Sequence, residues 1–333
     1  MNVIKKSDLR KFGYLKIKTD REMDLAKEIN KIKREKNAII LAHYYQTGDI
    51  QDIADFVGDS LDLSRKAAAA DCEIIVFSGV HFMAETAKIL SPEKKVILPD
   101  LNAGCSLADS CPVKEFKKFL KEYPDHTVIS YVNTTAEIKA LTDIVCTSSN
   151  ALEIINSLPK DEKIIFAPDK NLGNYIYNLT ERNMIIWDGA CHVHEEFSLE
   201  KILALKNKMP DAKIIAHPEC EKPLLIVADH IGSTSSLLKY TITDKNKVYI
   251  VATESGIIHQ MKKANPKKIF IPAPSKDSTC GCNDCNYMKL NTLEKIYTCM
   301  KYEQPEIKIN ENIRKRAEKP ILRMLEMSEK LGL

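Results

Sequence analysis

The chain has 333 residues, with 49 lysines and arginines against 46 aspartates and glutamates, for a net charge of +3. At 44% hydrophobic and 29% charged it has an ordinary globular composition, which excludes a disordered tail, a collagen-like repeat and a polybasic nucleic-acid coat. No apolar run approaches the roughly eighteen residues that span a bilayer, and the opening MNVIKKSDLRKFG has no apolar signal region, so a cytoplasmic protein with neither membrane nor nucleic-acid partner is expected.

A helix over 20–35 precedes the first strand. Then come a strand at 38–43, helices at 49–56 and 60–70, a strand at 73–78, a helix at 81–91 and a strand at 95–99. The same order returns through VISYV, AEIKAL, a short DIVCT strand, ALEIINSL, KIIFA, NLGNYIYNL and MIIW. It returns again through KIIAH, KPLLIVAD, SSLLKY, KVYIVA, GIIHQMKK and KIFIP. Helical stretches at 287–302 and 310–330 close the chain. Short apolar strands alternating with helices predict parallel sheets covered on both faces. Ser60, Ser149 and Ser235 read as helix N-caps. Neither G-x-G-x-x-G nor G-x-x-x-x-G-K-[ST] occurs among the 11 glycines.

Spacing shows a repeat. His43, Tyr131 and His217 each end a strand, and Ser60, Ser148 and Thr234 each follow 17 residues later. Successive copies lie 88 and 86 residues apart. A loop cysteine closes each copy: Cys105, Cys191 and Cys285, at 45, 43 and 51 residues beyond the Ser/Thr, so the third loop carries an insertion. The expected architecture is therefore α/β, with three pseudo-threefold-related αβα sandwich domains of parallel sheets around a central cavity. The division falls at 1–106, 107–195 and 196–290, with the C-terminal helices of 291–333 packing back on the first repeat.

All three landmark types fall at the carboxyl edge of their sheets, where open parallel sheets bind ligands. Ten cysteines in a reducing compartment point to metal or redox chemistry more than to disulfides. Three thiolates on one centre suit a soft metal or an iron–sulfur cluster and leave one coordination position open to substrate. Three helix N-termini with hydroxyl residues favour a small polyanionic substrate. Lone cysteines are usually small buried hydrophobes, and Cys72, Cys146, Cys220 and Cys299 read that way, with Cys111 undecided. Cys282-x-x-Cys285 also fits half a zinc knuckle or a redox pair. His192 and His194 fit either ligands or hydrogen-bonding groups beside a cysteine-bound centre.

The segments LAHYYQ, FVGDS, YVNT, CTSSN, HPEC, GSTS and CNYMK, in this order over about residues 35–300, resemble the quinolinate synthases. The resemblance implies a [4Fe–4S] cluster held by three cysteines, one iron free for substrate as a Lewis acid. It implies condensation of iminoaspartate with dihydroxyacetone phosphate to quinolinate, phosphate and water, in the de novo synthesis of NAD, with L-aspartate oxidase supplying the imine. Carried over by motif, the cluster ligands are Cys105, Cys191 and Cys285. The substrate-contacting positions are His43, Tyr45, Ser60, Tyr131, Asn133, Ser148, His194, His217, Glu219 and Thr234. Tyr45, Glu219, His217 and Tyr131 are the catalytic candidates; Glu219 and Tyr45 would abstract protons, and the histidines orient or polarise carbonyls and carboxylates. Some members carry C-x-x-C-x-x-C in the third loop, whereas this chain has Thr279 at the first position and Cys280 one residue later. Cys285 is chosen because its Cys-x-x-Met context matches. The competing readings are another open-site [4Fe–4S] hydro-lyase, a zinc-dependent hydrolase and a non-catalytic iron–sulfur sensor.

Overall fold

The computed structural model describes residues 6–277 and 283–333; Thr279, Cys280 and Cys282 lie outside the described residues. The chain divides into two compact units, one of residues 1–105 and 286–315, the other of 106–285 and 316–333. Among the described residues, twelve short strands form three four-stranded sheets. Every pairing within them is parallel. No helix among the described residues is long and apolar enough to cross a membrane.

The first unit holds β1 (Ala38–His43), β2 (Phe56–Gly58), β3 (Ile74–Ser78) and β4 (Lys95–Ile97), in the order β2-β1-β3-β4. The helix Leu25–Glu35 packs against the helix Leu293–Tyr302. Ile29, Ile32, Ile296, Tyr297, Cys299 and Met300 from this pair join Ile40, Ala42 and Val76 of the sheet in one apolar cluster. The second unit holds two sheets. One has β5 (Thr127–Tyr131), β6 (Ile144–Cys146), β7 (Ile164–Ala167) and β8 (Met184–Ile186). The other has β9 (Lys213–Ala216), β10 (His230–Ile231), β11 (Val248–Ala252) and β12 (Ile269–Pro272). Their orders, β6-β5-β7-β8 and β10-β9-β11-β12, repeat that of the first sheet. The three sheets flanked by helices match the expected class of three αβα sandwiches.

One device recurs in all three. Asp55 accepts the Ile40 N–H at 2.7 Å, Asp143 the Val128 N–H at 2.8 Å and Asp229 the Ile214 N–H at 2.8 Å. In each case the aspartate's own N–H returns to the carbonyl of the same strand residue. The carboxylate thus satisfies a strand-edge donor just before β2, β6 or β10 begins.

Three details differ from the sequence reading. β2 and β10 are strands that the sequence pattern does not announce, because three and two residues are too short for periodicity to reveal. The segment 49–56 ends as a helix at Ile53, because Phe56 already belongs to β2. The N-caps fall one or two residues earlier than Ser60 and Ser235. Asp59 takes the Leu61 and Asp62 N–H groups and Ser233 that of Ser236, while Asn150 precedes the helix Ala151–Ser157. A carboxyl group is a stronger acceptor than a hydroxyl at a positive helix end, so Ser60 becomes the first helical residue instead.

Candidate active site

In the first unit β1 ends at His43. Its Nδ1 accepts the Tyr45 N–H at 3.2 Å, and the two rings meet edge to face at 4.4 Å. Lys289 donates to the Tyr45 carbonyl at 2.7 Å, and the Gln46 amide reaches Met288 Sδ at 3.2 Å. Ser60 opens the helix Ser60–Ala69, and Cys105 lies partly buried at the end of its loop.

The second unit gathers most of the remaining candidates around one carboxylate. Glu219 follows β9 and is buried. Its Oε1 accepts the Tyr131 hydroxyl at 2.6 Å, from the end of β5. Its Oε2 lies 3.1 Å from His194 Nδ1, outside hydrogen-bond geometry. The Glu219 N–H meets His217 Nδ1 at 3.3 Å, so in its neutral form His217 presents Nε2–H to Ser148 Oγ, 3.1 Å away. The His194 and His217 rings stack at 4.8 Å. Cys191 precedes the short helix His192–Glu195, and one ligand atom each from Cys191, His194 and Glu219 lies within 4.8 Å of the others. Gly189 lets this loop run close, since a Cβ there would stand 2.5 Å from the Pro168 carbonyl. Asn133 keeps its side-chain oxygen buried without a hydrogen-bond partner, and Thr234, buried, opens the helix Thr234–Thr243. A cavity of about 180 Å³ beside Ser148 is walled by the starts of the helices Ala151–Ser157 and Thr234–Thr243.

Three residues that the sequence did not single out complete this group. Thr253 and Glu254 follow β11. Thr253 Oγ1 meets His194 Nε2 at 3.0 Å; Glu254, fully buried, accepts the Gly256 N–H at 2.7 Å and the Cys285 N–H at 3.1 Å. Asp169 follows β7, caps the helix Lys170–Thr180 through the Leu172 N–H at 2.7 Å, and leaves its second oxygen without a partner. The available signal was positional: all three sit just past a strand's carboxyl end, as the landmarks do.

The electrostatics separate the two buried acids. Burial works to raise the Glu219 carboxyl, but its interactions with His194 and His217 and the Tyr131 hydroxyl outweigh it and hold it low, at about 2. Burial, and then the negative charge of Glu219, push Asp169 well above the ordinary carboxyl value. Environment thus drives the two carboxyl groups in opposite directions, Asp169 up and Glu219 down. Burial and then His194 lower His192, whose Nδ1 meets Ser106 Oγ at 2.7 Å.

The cysteines also divide. Cys72, Cys111, Cys146, Cys220 and Cys299 are buried, and burial raises every one of their thiols, Cys111 to about 12. Among the described residues only Cys105, Cys191 and Cys285 are partly exposed, and no described cysteine is in a disulfide. Available soft donors in reduced form fit a thiolate-bound metal centre.

Fold and site together define an α/β enzyme with an acid–base group at the carboxyl ends of parallel strands. The family described as "Quinolinate synthetase A protein" matches residues 27–326. Proteins named quinolinate synthase are 58% identical in Chloroherpeton thalassium (92% of this chain, 96% of theirs) and 61% in Rippkaea orientalis (92% and 94%). One from a Synechocystis species is 60% identical over 92% of this chain and 96% of its own. The chain belongs to the quinolinate synthase family, and it is an enzyme of this type.

Proposed function

We propose that this chain condenses iminoaspartate with dihydroxyacetone phosphate to give quinolinate, phosphate and water, in the cytoplasm, as a step of NAD synthesis. L-aspartate oxidase would supply the imine. The reading includes a [4Fe–4S] cluster held by Cys105, Cys191 and Cys285, and the threefold division of the chain at 1–106, 107–195 and 196–290. The observation that carries the site is the buried Glu219 with its Tyr131, His194 and His217 partners. The matched repeat spacing, and the restriction of partly exposed thiols to three described cysteines, support the ligand set.

The chemistry requires several proton transfers next to carbonyl or imine carbons, and each needs a positioned acid or base. Glu219 is the base by position: the Tyr131 hydroxyl holds Oε1 while Oε2 stands beside His194 Nδ1. The Ser148 hydroxyl, backed by His217 Nε2–H, is a donor for substrate carboxylate or phosphate oxygens. By motif, Tyr45 is the second candidate for proton abstraction, and His43, Ser60, Asn133 and Thr234 bind substrate. When bound, the cluster supplies a Lewis-acidic iron with an open coordination position.

Two measurements test this. Glu219→Gln is expected to lower turnover by about 10²–10⁴-fold, the usual worth of a general base; unchanged turnover rejects that role. Anaerobic iron and sulfide analysis of single alanine variants is expected to show cluster loss at Cys105, Cys191 and Cys285 and retention at Cys280 and Cys282. Loss at either of the latter, with retention at Cys285, would move the third ligand.

A further inference from the structure

Tyr131 and Thr253 hold two members of the group at Cys191 from outside. The Tyr131 hydroxyl satisfies Glu219 Oε1, and Thr253 Oγ1 engages His194 Nε2. The inner atoms, Glu219 Oε2 and His194 Nδ1, then face each other at 3.1 Å without the alignment a shared proton needs. Both residues are only 2% exposed, so water does not compensate them well. Two electron-pair donors held this close, with a thiol as third neighbour, can share one electron-pair acceptor. A divalent cation is such an acceptor at a single point. Ligand atoms on a tetrahedral zinc stand about 3.3–3.7 Å apart, given bonds of about 2.0–2.3 Å. The trio, within 4.8 Å, therefore has to draw in by about 1 Å. The outer partners are of the kind that orient metal-binding imidazoles and carboxylates.

We propose that Cys191, His194 and Glu219 form a mononuclear site for a borderline-soft divalent cation of the zinc class, occupied in the cluster-free chain and mutually exclusive with cluster binding at Cys191. One thiolate, one imidazole and one carboxylate give a three-ligand set with a fourth position for water. The proposal goes beyond the quinolinate synthase reading and does not depend on it: it requires neither Cys105 nor Cys285.

The test uses the full-length chain, freed of cluster and metal with a chelator, kept reduced and titrated with cobalt(II) as a spectroscopic stand-in for zinc. One equivalent is expected to bind, with a thiolate-to-cobalt charge-transfer band in the near ultraviolet and tetrahedral ligand-field bands in the visible. Cys191→Ser should abolish the charge-transfer band. His194→Gln and Glu219→Gln should each weaken binding by about tenfold or more. Cys105→Ala, Cys285→Ala and the Cys280→Ala/Cys282→Ala double variant should bind as the parent does. Loss of the band in those last variants, or its survival in Cys191→Ser, overturns the proposal. X-ray absorption on the zinc-loaded parent gives an answer that does not depend on any variant folding: one sulfur and three nitrogen or oxygen neighbours are expected, and three or four sulfurs refute it. Iron–sulfur reconstitution of the same variants separates the two readings, because His194→Gln should lose cobalt and keep the cluster. Saturating the parent with zinc should block reconstitution, and unimpeded cluster assembly on zinc-loaded protein would also refute exclusivity.

Discussion

Asp169 and Glu219 are both carboxyl groups without appreciable access to water, yet their environments drive them in opposite directions. Glu219 has imidazoles beside it; Asp169 has a backbone N–H at one oxygen and the charge of Glu219 in its surroundings. A folded-state value raised above 3.8 means that Asp169 favours folding at low pH, and that this contribution is lost as pH rises from there through its folded value. Asn mimics the neutral acid and keeps the helix cap. Asp169→Asn is therefore expected to gain stability relative to the parent as pH rises from about 4 to neutrality. Asp169→Ala should lose about 1 kcal/mol by removing the cap. Thermal unfolding of the three proteins across pH checks both; an Asn variant that loses ground as pH rises would show that Asp169 is ionised in the fold.

At the level of elements, the aspartates Asp55, Asp143 and Asp229 explain why two-residue and three-residue edge strands persist. Alone, such strands bury little and make few ladder bonds. Each aspartate reaches from the turn just before the edge strand to the central strand, and bonds it with both side chain and backbone. Their spacing of 88 and 86 residues equals that of the landmark residues, so they belong to the repeat. Removing Asp143 leaves the Val128 N–H without its acceptor, and Asp143→Ala should destabilise by about 1–3 kcal/mol. Comparable losses are expected from Asp55→Ala and Asp229→Ala, read by urea unfolding, while Asn at the same positions keeps an acceptor and should recover part of the loss. The strands β2 and β10 escaped the sequence reading because two or three residues carry no measurable alternation. The equivalent β6 is legible within DIVCT, and the repeat spacing carries that position to the other two copies.

At the scale of the molecule, burial sorts the described thiols. Five described cysteines are buried with raised thiol values, whereas Cys105, Cys191 and Cys285 are partly exposed. Because the thiolate is the reactive form, brief alkylation of the cluster-free folded chain should label those three ahead of Cys72, Cys111, Cys146, Cys220 and Cys299. The five should react only on unfolding, and peptide mass spectrometry checks the order. Early labelling of Cys146 or Cys299 would contradict the packing.

The alternation of short apolar strands with helices, its threefold recurrence and the loop cysteine that closes each copy were legible in the sequence, because they are local patterns written at fixed spacing. His217, Glu219, Tyr131, Ser148, Cys191 and His194 could be named from motifs, but not the contacts that join them. Which residue meets which depends on where separate strands end in space. Asp169, Thr253 and Glu254 belong to no local pattern of their own, and only strand order brings them to Glu219, His194 and Cys285. The same holds for charge: residue type makes Asp169 and Glu219 alike, and it is packing, through desolvation and neighbouring groups, that raises one and lowers the other.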